Sequence, residues 1–221
     1  MMRIILWLGL GIGVVLGQAS EGDQLPGQRQ PVLVELFTSE GCSSCPPADA
    51  LLERLDRAQP VAGAQIVLSD HRDYWNHIGW ADPYSSPAFS ARQQQYARRL
   101  RTQGPYTPQM VVDGRTEFVG SDARSAESAV RDAVRQPKAA VHITTGEAAD
   151  IEIDPLPAGR VHKAGVFVAF AADTGTQDVL RGENGGRRLR HVSIVKDLKK
   201  VVRWTIECGS KHGFRWKAAL V

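Results

Sequence analysis

The chain has 221 residues and a formal net charge of +3. This length allows one large domain or two small ones. The small charge argues against a dedicated nucleic-acid-binding protein, and the composition is that of a globular protein without low-complexity tracts or internal repeats.

The first 20 residues have the outline of a secretory signal peptide. Arg3 precedes an apolar run from Ile4 to Leu16, and small or polar residues follow. The run is short for a membrane span, although an uncleaved N-terminal anchor is an alternative. We expect cleavage after Ala19 or Ser20, a linker over residues 21–30, and a mature protein in the periplasm or outside the cell, where disulfides persist.

Residues 31–137 have the pattern of a small α/β domain. Apolar runs of strand length alternate with segments of helical periodicity, and Asp113-Gly114 is typical of a hairpin turn. The predicted elements are strands at 32–37, 65–69, 109–112 and 116–119, and helices beginning near Cys45, at Pro87 and after an N-cap at Ser121. The order β-α-β-α-β-β-α is that of the minimal thioredoxin fold. We therefore predict a thioredoxin-like α/β domain, with an irregular aromatic and polar stretch at 71–86.

Residues 138–221 predict a β-rich C-terminal module. Alternating or apolar runs suggest strands at 141–144, 151–153, 161–171, 192–195, 201–206 and 214–220. The alternative is an extension that packs on the first domain.

The C-terminal end is basic. From residue 181 onward, 11 Lys or Arg residues stand against three acids. Such a surface could make weak contact with an anionic membrane or an acidic partner, or it could be a solvated face.

Cys42 and Cys45 form a CxxC motif at the predicted start of a helix. The helix N-terminus stabilises a nearby anion and lowers a thiol pKa, which favours an exposed Cys42 as nucleophile. Cys45, predicted to be buried, could then resolve a mixed disulfide. A disulfide across so short a loop contributes little stability, so the spacing favours redox chemistry. The third cysteine, Cys208, suggests a free thiol in a strand.

Other uses of the cysteine pair remain open from the sequence alone. No second close pair of ligands accompanies the motif, which argues against structural zinc. Cys42, Cys45 and His71 could hold copper(I), because thiolates suit that ion. A binding protein with a static disulfide is a third alternative.

The chain also resembles an uncharacterised family of exported bacterial thioredoxin-like proteins. The resemblance extends from about Val34 to Val134, with a further block at 181–191. Its motifs are VELFTSEGCSSCPPAD at 34–49, HRDYW at 71–75, GW at 79–80, DP at 82–83 and YTPQ at 106–109. Arg72 departs from the apolar residue expected at its position.

This resemblance implies further site residues. Thioredoxin-like proteins have a cis proline facing the cysteines, and its preceding residue offers backbone hydrogen bonds to an extended peptide; Pro108 and Thr107 hold those positions. A buried acid in the first strand accepts a proton from the second cysteine, and Glu35 would supply it, with the alternatives of a salt bridge or a solvent-facing side chain.

Two polar segments complete the prediction. Loops after strands often line the working cleft of an α/β sheet, so His71 and Asp73 are expected near the cysteines, where His71 could move a proton; the alternative is that they cap local backbone. Residues 181–186 predict a tight loop whose charged side chains could contact the first domain or a ligand, or be purely structural.

The sequence thus predicts an exported thiol–disulfide oxidoreductase. Its expected partners are protein or small-molecule thiols and disulfides. No cofactor, metal or nucleic acid is expected, and the oligomeric state is not specified.

Overall fold

The computed structural model of the protein describes residues 2–10, 31–59, 65–145, 148–154, 163–205 and 214–219. Its elements are strands and helices in mixed order, with one 3₁₀ helix at Asp73–Ile78. The strands are β1 Met2–Leu10, β2 Val32–Thr38, β3 Gln65–His71, β4 Gln109–Val112, β5 Thr116–Val119, β6 Val141–Thr145, β7 Ala148–Ile153, β8 Lys163–Asp178, β9 Arg188–Thr205 and β10 Phe214–Ala219. The helices are α1 Pro46–Ala58, α2 Pro87–Leu100 and α3 Ala123–Val134.

A seven-stranded sheet carries the strand order β1-β8-β9-β3-β2-β4-β5. Strand β2 is parallel to β3 and antiparallel to β4, and β4 is antiparallel to β5. Strand β9 pairs in parallel with β3, where Ser69 is opposite Ile194. The chain is therefore a mixed α/β protein, as predicted.

The side chains of β2 alternate between two packed faces. Val34 and Leu36 lie in a hydrophobic core with the apolar residues of α1 and α3. On the other face, Phe37 packs edge-on against Tyr96 of α2, with ring centroids 5.9 Å apart. Because both faces are covered, every side chain of β2 is buried.

The predicted element order from β2 to α3 is confirmed. At the Asp113-Gly114 turn both residues have positive φ, as a tight hairpin requires. The N-cap of α3 was predicted wrongly as Ser121. It is Asp122, whose carboxylate accepts hydrogen bonds from the N–H groups of Arg124 and Ser125.

The contacts within the chain separate two compact units. The first contains Arg29–Gln136 and Ala169–Leu198, and the second contains Pro137–Val168 and Lys199–Val221, with the N-terminal residues divided between them. The first unit therefore contains, besides residues 31–136 of the predicted 31–137 domain, a segment of the predicted C-terminal module, because β9 joins the sheet beside β3.

The second unit contains a three-stranded sheet. Its strand order is β10-β7-β6, and neighbouring strands are antiparallel. The strands predicted separately at 192–195 and 201–206 are one continuous strand, β9, up to Thr205. Cys208 lies outside the described residues.

The N-terminal region is described only over β1, which is hydrogen-bonded to β8 at the edge of the larger sheet. The rest of the predicted signal peptide and the 21–30 linker lie outside the described residues, so the signal peptide stays a prediction. Within the described parts of the chain, no helix is both long and apolar enough to cross a membrane.

Candidate functional site

The two cysteines of the CxxC motif form a disulfide at the start of α1. Their Cα atoms are 5.4 Å apart. Cys45 is the N-cap residue, and its carbonyl accepts hydrogen bonds from the N–H groups of Ala48 and Asp49. Pro46 and Pro47 occupy the first turn, where no N–H donor is needed. The sequence prediction of a helix starting at the motif is confirmed.

The predicted exposure of Cys42 is wrong, because both cysteines are 0% exposed. The loop that joins β8 to β9, residues 179–187, contacts the motif; we call it the covering loop. The Asn184 side chain donates hydrogen bonds to the carbonyls of Glu40 (2.8 Å) and Cys42 (2.9 Å). The Glu183 carboxylate accepts the N–H of Ser43 at 2.9 Å. Residues 181–186 thus contact the first domain, one of the predicted alternatives.

Removing the Asn184 side chain should make the disulfide easier to reach. Asn184→Ala loses two hydrogen bonds of about 1 kcal/mol each, so opening of the covering loop costs less and reduction by dithiothreitol should be roughly thirtyfold faster. Alkylation after timed quenching measures the rate. Leu180→Ala is the control, because Leu180 is in the same loop and is 74% exposed. Equal rates in all three proteins would contradict the covering role.

The Thr107–Pro108 peptide bond is cis, as the resemblance implied. The Thr107 hydroxyl accepts a hydrogen bond from the Trp75 indole at 2.8 Å and is 2.9 Å from the Tyr74 hydroxyl. Trp75 in turn lies against Gly41, where an added Cβ would be 3.1 Å from the Trp75 Cβ. Trp75 therefore connects Thr107 to the loop that carries Cys42.

Pro108 lies near the first turn of α1. A Cβ added to Gly120 would be 3.1 Å from the Cβ of Pro108 and 3.2 Å from the Cβ of Ala48. The structure therefore brings Thr107 and Pro108 to the cysteine motif. A role of these residues in substrate binding stays a prediction.

Glu35 is part of a buried ion pair on the α2 face of the sheet. Its two carboxylate oxygens are each 2.5 Å from a donor, Arg92 Nε and the Tyr96 hydroxyl. Asp70 is nearby; burial, with the Glu35 charge, raises the pKa of Asp70 to about 8. The salt bridge that the sequence left as an alternative for Glu35 is confirmed.

His71 and Asp73 have different partners. His71 is fully buried, and its Nδ1 is 2.7 Å from the Asp82 carboxylate. Asp73 accepts a hydrogen bond from the Ser90 hydroxyl on α2. His71 thus joins a buried polar network that includes Glu40, two residues before Cys42, whereas Asp73 connects the 3₁₀ helix to α2.

That network contains functional candidates that the sequence prediction missed. We define the buried polar cluster as Glu40, Asp49, His71, Asp82 and His191. His191 Nε2 is 3.3 Å from Glu40 Oε1, and its Nδ1 is 3.7 Å from Asp49 Oδ1. Asp82 accepts the N–H of Glu40 at 2.9 Å, and the rings of His71 and His191 meet edge to face at 4.5 Å.

The cluster holds a buried positive charge between two carboxylates. Burial opposes protonation of His191, but attraction to the Asp49 and Glu40 carboxylates outweighs it and raises the His191 pKa to about 10. Burial also opposes ionisation of Asp82; His71 and the N–H groups of Glu40 and Tyr84 outweigh it and lower the Asp82 pKa. His191 is therefore an imidazolium at neutral pH.

Only part of this cluster carried a signal in the sequence. Glu40 and Asp49 flank the CxxC motif, and His191 lies in the later block of the family resemblance. Their mutual contacts join segments more than 140 residues apart, which no local pattern records.

The described residues give no further support to the copper alternative. Among the residues that the structure describes, no group of three or more His, Cys, Asp or Glu side chains is arranged to hold a metal ion. The copper site of Cys42, Cys45 and His71 stays a prediction.

Residues 33–220 match the model of a family described as proteins of unknown function, DUF1223. The chain belongs to the DUF1223 family. An X-ray structure of a protein from Agrobacterium tumefaciens is 30% identical, with a TM-score of 0.70, over 87% of this chain and 80% of that one. The DUF1223 chain is also similar, at 15% identity and a TM-score of 0.49, to HBP35 of Porphyromonas gingivalis, over 86% of this chain and 63% of that one. No curated protein sequence matches it.

Proposed function

We propose that this DUF1223 protein is an exported thiol–disulfide oxidoreductase with a thioredoxin-like domain. The observation that carries the proposal is the Cys42–Cys45 disulfide at the N-terminus of α1. In a CxxC pair at a helix start, the thiolate of one cysteine is stabilised, and the other cysteine can break the mixed disulfide that the first forms with a substrate.

The arrangement of strands supports a thioredoxin-like domain. The order β3-β2-β4-β5, with β2 and β3 parallel and the other pairs antiparallel, is that of the minimal thioredoxin sheet. Helices α1 and α3 share the core on one face, and α2 packs on the other. The cis Thr107–Pro108 bond precedes β4.

The reaction exchanges two electrons between protein and substrate. A substrate thiolate attacks Cys42 Sγ, forming a mixed disulfide, and the electron pair of the broken Cys42–Cys45 bond goes to Cys45 Sγ. A second substrate thiolate then attacks the substrate sulfur, and Cys42 leaves as a thiolate. Two substrate thiols become one disulfide, and the protein gains two thiols; the reverse sequence reduces a substrate disulfide.

Substrate access requires movement of the covering loop. Side chains of the loop form hydrogen bonds with the main-chain N–H of Ser43 and the main-chain carbonyl of Cys42. An extended peptide presents the same kinds of donor and acceptor, so it could replace these contacts. The substrates are therefore proposed to be protein or small-molecule thiols in an extracytoplasmic compartment, where disulfides persist.

Trapping of the mixed disulfide tests this proposal. In the reduced full chain, Cys45→Ser cannot resolve a covalent intermediate at Cys42, so incubation with a disulfide-bonded protein such as insulin should yield a stable adduct on a non-reducing gel. The Cys42→Ser/Cys45→Ser double variant is the control and should form none when both proteins also carry Cys208→Ser, which removes the third thiol. Absence of an adduct in Cys45→Ser would contradict the proposal.

The burial of both cysteines favours a second candidate function. A disulfide that is 0% exposed at both residues could be a static element of a binding protein. In that case the pair should resist dithiothreitol even in the Asn184→Ala variant, whereas the oxidoreductase should be reduced readily.

A further inference from the structure

Asp49 lies one helical turn after Cys45 on the same side of α1. Cys45 already has helical dihedral angles (φ −77°, ψ −36°), and its carbonyl accepts the Asp49 N–H at 3.1 Å. Residues four apart on a helix have Cβ atoms about 5–6 Å apart. The side chains of Asp49 and Cys45 are therefore neighbours on α1.

The Asp49 carboxylate is held away from solvent. Its side chain is 6% exposed and Oδ1 faces His191 Nδ1 at 3.7 Å. That oxygen accepts no hydrogen bond within the described part of the chain. A buried carboxylate oxygen that no hydrogen bond fills can still accept one from a neighbouring group.

Cys45 needs such a group when the disulfide opens. Cys45 is fully buried, and a thiolate in a buried position is disfavoured unless it gains a proton or a compensating charge. Glu35, the acid predicted for this purpose, is bound to Arg92 and Tyr96 on the α2 face.

We propose that Asp49 and His191 control the proton of the Cys45 thiol. This is the role that the resemblance to thioredoxin-like proteins implied for Glu35. This inference rests on the proposed oxidoreductase function and identifies the acid–base pair that serves it.

When a substrate thiolate attacks Cys42, the Cys42–Cys45 bond breaks and its electron pair stays on Cys45 Sγ. That sulfur takes a proton from the His191 imidazolium through the Asp49 carboxylate. In the reverse step the Cys45 thiol returns the proton to Asp49 and His191, and the thiolate displaces the substrate sulfur from Cys42.

Several other titratable groups lie near Asp49 and His191 and influence their electrostatic environment. Glu40 approaches His191 from the loop before α1, His71 from β3 and Tyr84 from the loop before α2. Asp82 is hydrogen-bonded to His71, and Lys196 of β9 lies 4.0 Å from the Tyr84 ring centroid. The two variants below change one charge each and leave these groups in place.

The Cys45 pKa can be measured directly. In the reduced full chain carrying Cys42→Ser and Cys208→Ser, Cys45 is the remaining thiol, and its thiolate absorbs in the ultraviolet as pH rises. Asp49→Asn removes a nearby negative charge and should lower the Cys45 pKa by about one unit. His191→Gln removes the positive charge between two carboxylates and should raise it by a similar amount.

Glu35→Gln is the control, a buried acid of the same unit that is bonded to α2. It should leave the Cys45 pKa unchanged. Opposite shifts in Asp49→Asn and His191→Gln would support the proposal, and if one of these variants does not fold, the direction in the other still decides. An unchanged pKa in Asp49→Asn, or an equal shift in Glu35→Gln, would overturn it.

The outcome is separable from that of the proposed function. Shifts of opposite sign in a protein that forms no mixed disulfide would contradict the oxidoreductase and keep the Asp49–His191 assignment. A mixed disulfide with no shift would do the reverse.

Discussion

Disulfide turnover should fall to the uncatalysed rate when Cys42 is replaced by serine. The reaction needs the Cys42 sulfur as the atom that forms the mixed disulfide, and a serine hydroxyl cannot form that bond. The measurement is the reduction of insulin by the full chain with dithiothreitol as electron source, followed by the turbidity of the separated chains.

Cys208→Ser is the matched control for this loss. It also removes one sulfur atom, but Cys208 lies outside the CxxC motif, so turnover should be close to that of the unaltered protein. Turnover that survives Cys42→Ser, or is lost in Cys208→Ser instead, would contradict the assignment of Cys42.

The largest expected loss of stability comes from Arg92→Met. Arg92 is buried, and its guanidinium pairs with Glu35, while Asp70 lies in the same low-dielectric region. Methionine fills similar volume but leaves the Glu35 carboxylate without its cation. Breaking a buried pair in this way costs about 3–5 kcal/mol of unfolding free energy, measurable by urea denaturation with the disulfide intact.

Two further variants serve as controls for this measurement. Arg98→Met changes an exposed arginine of the same helix and should alter stability by less than about 0.5 kcal/mol. The double variant Glu35→Leu/Arg92→Met removes both charges and should recover much of the loss. Equal destabilisation by Arg92→Met and Arg98→Met would show that the buried pair contributes little.

Local sequence patterns were sufficient for the element order around the motif. The two prolines after Cys45 mark the first turn of α1, and Asp113-Gly114 marks the β4–β5 hairpin, because each pattern acts through backbone conformations of a few adjacent residues. The N-cap of α3 was misplaced by one residue, since Ser121 and Asp122 are both good caps and only the fold decides between them.

The environment of the cysteines could not be predicted in the same way. Asn184 and the Cys42 carbonyl that it contacts are 142 residues apart in sequence. Glu35 and Arg92, which form the buried ion pair, are 57 residues apart. Such pairs depend on which strands are neighbours. Strand β9 enters the sheet beside β3, and this placement brings the covering loop and His191 to the motif.

A redox titration of the purified full chain in glutathione or dithiothreitol buffers distinguishes a redox-active dithiol pair from a structural disulfide. Alkylation and mass measurement report the oxidised fraction of the Cys42–Cys45 pair at each potential. The oxidoreductase should show a reversible transition between roughly −120 and −270 mV, the span of known dithiol oxidoreductases. A pair that stays oxidised below about −300 mV, as structural disulfides do, would contradict it.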